Sequence, residues 1–238
     1  MCARKGSNAK WRAVIFDLDD TLYPEISFVR SGFREVAQWC SDNLGMERGV
    51  AYKELLSLFE SGAKGNTFDA WIETHDLPVD LVPEMVAIYR DHSPDIEPYE
   101  GVRECLTLIR RNYKTGLLSD GLLSMQERKL AALKFKDMFD VVVFSDRWGR
   151  EYWKPSQRPY LFALDALAVS PEEAVYVADN PGKDFLACQQ LGMSSIWVRH
   201  PASMYAELEP KGVDHVADHV IRSITDIMKV EFWEGADR

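Results

Sequence analysis

The chain has 238 residues, of which 46% are hydrophobic and 28% charged, and its formal net charge is −10. This composition is typical of a folded protein, and the length allows one sizeable core with a smaller accessory domain. The negative charge argues against a nucleic-acid-binding surface, and no apolar run approaches the ~20 residues of a membrane span. Neither nucleic acid nor a membrane is therefore expected as a partner.

The cysteines and the two ends of the chain indicate where the protein resides. Four scattered cysteines without a CxxC pair, at positions 2, 40, 105 and 188, favour reduced thiols in a cytoplasmic protein. Residues 1–10 are polar and lack the apolar core of a signal peptide. We expect residues 1–10 and 231–238 to be flexible.

The first predicted element is a strand at residues 13–16, whose side chains are all apolar (AVIF). A long segment with no convincing strand follows, residues 24–97, in which apolar side chains such as Val29, Phe33 and Val36 recur at helical spacing. Prolines stand near both ends of this segment and predict hinges there. Residues 24–97 are therefore predicted to form a helical domain inserted into the core.

The rest of the chain alternates apolar runs with helical segments. Further strands are predicted at residues 115–118, 141–144, 174–178 and 195–198. Helices are predicted at about 100–112, 122–134, 157–168, 182–191 and 219–229. Near-continuous apolar strands that alternate with helices indicate an α/β fold with a doubly wound parallel sheet. Its core is predicted to be discontinuous, made of residues 11–23 and 98–230.

Acidic residues directly follow the first strand, in the segment Asp17-Leu18-Asp19-Asp20-Thr21. A carboxylate can attack phosphorus, and a second carboxylate two residues later can exchange protons with the leaving oxygen and with water. Asp17 and Asp19 have this spacing. Three acids so close together call for a cation, and a hard divalent ion is the natural one. A capped turn is the structural alternative, since Asp and Thr are common in turns.

Two further polar clusters follow the second and third strands. The hydroxyl of Ser119 and the free N–H groups of Ser119-Asp120-Gly121 can hold phosphate oxygens, although such residues at a strand-to-helix turn are commonly structural. Lys154 can neutralise both a carboxylate nucleophile and a phosphoryl group, although a single lysine is commonly a solvated surface residue.

A fourth cluster follows the fourth strand and contains Asp179, Asn180 and Asp184. Asp179 is placed to bind a metal ion opposite Asp17, and Asp184 to orient a metal-bound water or Lys154. A helix cap is the alternative for Asp179 or Asn180 taken separately. Because ligands of an open parallel sheet bind beyond the carboxyl ends of its strands, the four clusters predict one site.

Taken in order, the four clusters resemble the signature motifs of the haloacid dehalogenase superfamily. The motifs correspond to residues 17–21, to Ser119, to Lys154, and to Asp179 with Asp184. The resemblance covers about 12–22 and 98–200. It implies a Rossmann-like α/β core, and it identifies residues 24–97 with the helical C1-type cap of that family.

The resemblance also implies a role for each residue. Asp17 would be the nucleophile and a Mg²⁺ ligand, Asp19 the general acid/base and a ligand through its backbone carbonyl, and Asp179 the third ligand. Ser119 and Lys154 would bind the phosphoryl group. The remaining positions would support the site, namely Thr21 in the first loop, Asp20, Asp120 and Gly121 around the phosphate, and Asn180 and Asp184 beside the metal.

Asp19 narrows the implied chemistry, because haloacid dehalogenases lack an acid two residues after the nucleophile. We predict a Mg²⁺-dependent phosphomonoester hydrolase of a small metabolite, a sugar phosphate or a nucleoside monophosphate, that forms an aspartyl-phosphate on Asp17. A phosphomutase or other phosphotransferase, and a regulatory protein with weak catalysis, are the alternatives. One departure from the family pattern is Ala178, where similar proteins have Gly or an acid, and it bears on the metal geometry.

The inserted helical segment is expected to select the leaving group. Tyr23 and Glu25 adjoin the first cluster and are the best-placed candidates, ahead of Arg30 and Arg34, for which solvated surface is favoured. With Tyr23, the first cluster also resembles pyrimidine 5′-nucleotidases and sugar-phosphate phosphatases. The sequence does not indicate an oligomeric state.

Overall fold

The computed structural model describes residues 11–230. The prediction that residues 1–10 and 231–238 are flexible concerns residues outside this range. The strands are β1 (Ala13–Phe16), β2 (Lys114–Ser119), β3 (Val141–Phe144), β4 (Ala174–Ala178), β5 (Ser194–Val198) and β6 (His219–Ile221). The α-helices are α1 (Glu25–Leu44), α2 (Arg48–Glu60), α3 (Thr67–Thr74), α4 (Val82–Asp91), α5 (Val102–Ile109), α6 (Leu123–Ala132), α7 (Arg158–Leu167) and α8 (Phe185–Leu191).

The six strands form one parallel sheet in the order β3-β2-β1-β4-β5-β6. The predicted α/β doubly wound fold is therefore confirmed. From β1 the chain first builds outward to β2 and β3, then returns to β4 on the other side of β1. The crevice between β1 and β4 is the topological switch point, where open α/β sheets bind their ligands.

Alternate residues of each strand pack on opposite faces of the sheet. On β1, Val14 and Phe16 belong to one hydrophobic cluster, and Ala13 and Ile15 belong to another. Helices α5 and α6 cover the first face, while α7 and α8 cover the second. Burial on both faces is the reason that these strands are almost wholly apolar.

Residues 24–97, here called the helical insertion, contain α1 to α4 and a hydrophobic cluster of their own. Phe33 lies in this cluster against Phe59 and Phe68, with ring centroids 5.9 Å away in each case. The insertion is joined to the core beside β1, where the backbone N–H of Tyr99 donates to the carbonyl of Leu22 at 3.0 Å. The two ends of the insertion are therefore held together at the switch point.

The predicted helix near 219–229 is wrong. Residues 219–221 form β6 at the edge of the sheet, and Ile224–Lys229 form a 3₁₀-helix. Ile221, Ile224 and Ile227 are all buried, so the three-residue spacing that suggested an α-helix reflects a short strand followed by a 3₁₀-helix, whose period is three.

Two findings concern membrane-spanning helices and the cysteines. Across residues 11–230, no helix combines the length and the apolar character that crossing a bilayer requires. Within the same range Cys40, Cys105 and Cys188 are free thiols, each buried.

Candidate active site

Acidic residues gather at the carboxyl edge of the sheet because three strands end there. Asp17 directly follows β1, Asp120 follows β2 and Asp179 follows β4. All three line a cavity of about 520 Å³, together with Lys154 and Lys183. Residues from the helical insertion close the other side of this cavity, so it lies between the insertion and the core.

Lys154 is buried in the floor of the cavity between two carboxylates. Its Nζ lies 2.8 Å from Oδ1 of Asp17 and 2.7 Å from Oδ1 of Asp184, and it donates to the hydroxyl of Tyr176 at 3.0 Å. Burial opposes the charged form of Lys154, but the two carboxylates hold its pKa well above the ordinary value. Lys154 is therefore a fixed positive charge beside Asp17.

Asp17 is itself buried, and burial raises its pKa to about 6 although Lys154 acts in the opposite direction. The carboxylate has only one close cation in the described residues, so its negative charge is incompletely balanced. A buried carboxylate that is only partly neutralised and lines a cavity is suited to attack an electrophile there.

Asp19 lies on the same loop and is held by three donors, Tyr23 from this loop and Gln126 and Lys129 from α6. Oδ1 accepts from Nζ of Lys129 at 2.7 Å and from the hydroxyl of Tyr23, and Oδ2 accepts from Nε2 of Gln126 at 2.9 Å. Burial alone would raise the pKa of Asp19, but Lys129 and the hydrogen bonds outweigh it and hold the pKa below the ordinary value. In this arrangement Asp19 is an ionised, oriented carboxylate.

The donors around Asp179 fit a divalent cation. Oxygens of Asp17, Asp179 and Asp184 lie within 4.8 Å of one another, and all three residues are buried. Burial, followed by the charges of Asp184, Asp17 and Asp20, raises the pKa of Asp179 well above its ordinary value. A hard cation with oxygen ligands would relieve this repulsion, so the residues present suit Mg²⁺.

Asp184 is the least available of these three carboxylates. Its Oδ1 pairs with Lys154, and its Oδ2 accepts from the backbone N–H of Asn180 at 3.0 Å. The side chain of Asn180 in turn accepts from the backbone of Gly182 at 2.9 Å. Asp184 and Asn180 therefore brace the loop that carries Asp179, and the structure leaves Asp17 and Asp179 as the freer side-chain ligands.

The residues predicted around the phosphate fall into different environments. Ser119 is the last residue of β2, is only 1% exposed, and accepts from Nε2 of Gln126 at 2.7 Å. The carboxylate of Asp120 accepts from Oγ of Ser145 at 2.5 Å, so the side chain supports the loop. Gly121 lines the cavity with a φ of 117°, a conformation that favours glycine.

Two further residues singled out in the sequence, Thr21 and Ala178, support Asp179 and β4. Thr21 donates to Oδ1 of Asp179 at 3.4 Å, a long contact from the first loop to the fourth. Ala178 is the last residue of β4 and packs in the core cluster on the face of α7 and α8. Its methyl group is therefore buried in the core.

Sequence reasoning missed several residues that line the cavity, among them Arg90, Gln126, Lys129, Lys183 and Tyr205. Gln126 and Lys129 lie one turn apart on α6 and are buried, at 1% and 4% exposure. Two long polar residues three positions apart, in the helix that directly follows the second cluster, were a usable signal. For Tyr205 there was none, because the loop that carries it has no regular pattern.

Comparison with known proteins agrees with this geometry. Residues 14–198 match the model of the haloacid dehalogenase-like hydrolase family. The chain is 29% identical to a glyceraldehyde 3-phosphate phosphatase of Methanopyrus kandleri, over 92% of this chain and 97% of that protein. It is 30% identical to the pyrophosphatase PpaX of Bacillus mycoides, over 88% of this chain and 93% of that one.

A solved structure shows the same fold. YfnB of Bacillus subtilis, a HAD-hydrolase bound to magnesium, superposes with a TM-score of 0.65 and 13% identity, over 93% of this chain and 98% of that one. Because the family match covers most of the chain, and its relatives over nearly their full length are phosphatases, the expected enzyme class is confirmed. The chain belongs to the haloacid dehalogenase-like hydrolase family, as a phosphatase of that family.

Proposed function

We propose that this phosphatase is a Mg²⁺-dependent phosphomonoester hydrolase that acts on a small phosphorylated metabolite through an aspartyl-phosphate on Asp17. The observation that carries the proposal is the pairing of Lys154 Nζ with Asp17 Oδ1 at 2.8 Å, in a cavity that also presents Asp19 and Asp179. This arrangement supports the proposal, because a nucleophilic carboxylate, a second carboxylate and a cation that binds phosphate would then share one space of metabolite size.

In the first step an oxygen of Asp17 attacks phosphorus, and the bond from phosphorus to the leaving oxygen breaks. Lys154 balances the negative charge that gathers on the transferred phosphoryl group. The leaving oxygen takes a proton from Asp19, which enters this step protonated, after it has exchanged its contact with Lys129 for one with the leaving group. The products are the free alcohol and Asp17 carrying the phosphoryl group.

In the second step Asp19, now a carboxylate, accepts a proton from a water molecule that attacks phosphorus. The bond between phosphorus and the Asp17 oxygen breaks, which frees inorganic phosphate and restores Asp17. The donors at Asp19 suit this step, because they orient the ionised carboxylate that the water needs.

Mg²⁺ would be held by Asp17, Asp179 and the backbone carbonyl of Asp19, where it would neutralise the phosphate oxygens. The magnesium in YfnB and the repulsion among the carboxylates around Asp179 support this assignment. The helical insertion is proposed to be the C1-type cap, with residues 24–97 as cap and residues 11–23 and 98–230 as core. Its separate hydrophobic cluster supports that division.

The decisive experiment measures release of inorganic phosphate from phenyl phosphate by the wild type and by Asp17→Asn. We expect Mg²⁺-dependent turnover that EDTA abolishes and that Asp17→Asn lacks. Asp140→Asn is the matched control. The Asp140 carboxylate accepts from the backbone N–H of Thr115 at a distance of 2.7 Å and does not line the cavity, so this variant should retain wild-type activity. Full activity in Asp17→Asn, or turnover without metal, would refute the proposal.

A further inference from the structure

Asp20 belongs to the loop that carries Asp17, three residues after it. It is fully buried and has a positive φ of 51°. Oδ1 accepts from the backbone N–H of Glu25 at 2.8 Å, while Oδ2 accepts from the backbone N–H of Met204 at 2.8 Å and from Oγ of Ser203 at 3.2 Å. One carboxylate therefore joins the start of α1 to the loop of residues 199–206.

Both segments held by Asp20 contribute a polar side chain to the cavity. Glu25 is the first residue of α1, and Tyr205 directly follows the two residues that Asp20 binds. The backbone N–H of Tyr205 donates to Oγ of Ser203 at 3.0 Å, so the same network fixes Tyr205. Asp20 thus fixes the two chain segments from which Glu25 and Tyr205 reach the cavity.

The polar atoms of Glu25 and Tyr205 are available to a ligand. Within residues 11–230 the Glu25 carboxyl has no hydrogen bond or ion pair, and neither does the Tyr205 hydroxyl. Burial, and next the charge of Asp19, raise the pKa of Glu25 to about 7. Near neutral pH its carboxyl can therefore donate as well as accept, which suits the hydroxyl groups of a polyol.

The aromatic side chains of the cavity have other partners. Arg150 lies over the ring of Trp153 at 5.3 Å, and Lys64 lies over the ring of Tyr205 at 5.8 Å. The ring of Tyr89 packs against four aromatic neighbours, one of them Phe28. The free capacity at this end is for hydrogen bonding, which favours a hydroxylated group over a stacked base.

We propose that Asp20 is a positioning residue that builds the leaving-group end of the cavity from Glu25 and Tyr205, and that this end binds a hydroxylated, sugar-like leaving group. The inference rests on the proposed phosphomonoester hydrolase function and narrows its substrate class.

Two matched substrates test the inference. Glycerol 3-phosphate and propyl phosphate share a three-carbon leaving group, but only the first carries additional hydroxyls. We expect kcat/KM of the wild type to favour glycerol 3-phosphate by about tenfold or more, the effect of one well-placed hydrogen bond. The kcat/KM for adenosine monophosphate, a nucleoside monophosphate, should not exceed that for glycerol 3-phosphate.

Single variants then test which residues cause the preference for glycerol 3-phosphate over propyl phosphate. Glu25→Met and Tyr205→Phe keep side-chain size but remove polar atoms, so each should reduce the preference by about three- to tenfold, mainly through a higher KM for glycerol 3-phosphate. Any change in kcat/KM for propyl phosphate should be smaller than the change for glycerol 3-phosphate. Asp140→Asn is again the control and should keep the preference.

Asp20→Asn tests the positioning role, because asparagine tolerates a positive φ but has only one acceptor oxygen for the two segments. It should lose the preference about as fully as the double variant Glu25→Met/Tyr205→Phe. Adding Asp20→Asn to that double variant should cause no further loss of preference, since its effect is transmitted through those two residues.

The outcomes separate this inference from the proposed function. An equal loss on both substrates in Asp20→Asn places its action at the phosphate end and overturns the positioning role. A wild type that depends on Asp17 and Mg²⁺ but prefers neither substrate overturns the leaving-group assignment alone. Activity that survives Asp17→Asn refutes the proposed function itself. If Asp20→Asn does not fold, as judged by circular dichroism, the Glu25 and Tyr205 variants still decide the substrate class.

Discussion

At the scale of single residues, the candidate site depends on long side chains from elements that follow the strand ends. Lys129 lies on α6, over the ring of Phe28 at 4.4 Å, and reaches Asp19 across the sheet edge. With only 5% of its side chain exposed, its charge is shielded from solvent and acts strongly on Asp19. Lys129 is therefore expected to influence the proton transfers assigned to Asp19.

Replacement of Lys129 by Met keeps the packing on Phe28 and removes the donor to Asp19. We expect kcat to fall by about 10- to 100-fold, part of the contribution of a well-positioned general acid/base. Steady-state kinetics with phenyl phosphate measure the loss. Lys136→Met changes an exposed lysine that follows α6 and should leave kcat unchanged. A wild-type kcat in Lys129→Met would show that Asp19 needs no cationic partner.

Glu25 gives a prediction about stability and pH. Its ordinary pKa of 4.5 is raised to about 7 in the folded chain, so the folded state binds more protons than the unfolded state between these values. The contribution of Glu25 to stability should therefore be fully present below about pH 4.5 and be lost as the pH rises through about 7.

Glu25→Gln removes this titration. Denaturant unfolding should show the variant more stable than the wild type above pH 7, with the difference shrinking as the pH falls toward 4.5. Glu35→Gln, an exposed change on the same helix, controls for the altered net charge. A difference between Glu25→Gln and the wild type that does not vary with pH would contradict the prediction.

The acidic residues of the site were predictable, and most of their partners were not. Asp17 and Asp179 directly follow apolar strands of a parallel sheet, where ligands bind, and it is their occurrence with the other clusters that predicted a site. The role of the Asp20 side chain depends on Met204 and Ser203, about 180 residues away in the chain, and no local pattern announces such contacts. A single sequence therefore shows which strand ends carry chemistry, and the loops that complete the site need the structure.

At the scale of elements, prediction succeeded where packing was two-sided and failed at the edge formed by β6. The first five strands, β1 to β5, are apolar runs because helices cover both faces, and each was placed to within a residue or two. The edge strand β6 has three residues with only one strand neighbour, and its middle residue, Val220, is 57% exposed. So short and exposed a strand has too few apolar positions to be distinguished from a helix.

Helix α5 is the first element of the core after the helical insertion. Gly101 precedes this helix with a φ of 77°, and a Cβ added to it would lie 2.7 Å from Cγ2 of Thr225. Gly101→Ala should therefore destabilise the chain by about 1–2 kcal/mol from the positive φ and by more from the steric clash.

The destabilisation caused by the steric clash can be measured separately from that caused by the positive φ. Thr225→Ser removes Cγ2 but keeps a hydroxyl for its contact with Ser223, so it should recover part of the stability lost in Gly101→Ala. Urea unfolding of the two single variants and the double variant gives both terms. A double variant no more stable than Gly101→Ala alone would show that the clash is relieved by backbone movement.

At the scale of the whole molecule, the sheet and the helical insertion each have a hydrophobic core, and the polar site lies between them. Carboxylates from three loops meet there, and burial, together with the charges of neighbouring carboxylates, raises the pKa values of Asp17 and Asp179. Mutual repulsion of buried charges opposes folding, so a cation that binds only the folded site should stabilise the entire chain.

Thermal unfolding with and without Mg²⁺ tests this without any assay of activity. A ligand at 100 times its Kd adds about 2.7 kcal/mol, which corresponds to a rise of roughly 5–10 °C in the Tm of a chain of this size. Asp179→Asn should lose that rise, because it removes a proposed ligand. In EDTA, however, it should unfold at the wild-type temperature or above, because it also removes one of the repelling charges. A destabilised Asp179→Asn that still gains the full rise would mean that Asp179 is structural and that Mg²⁺ binds elsewhere.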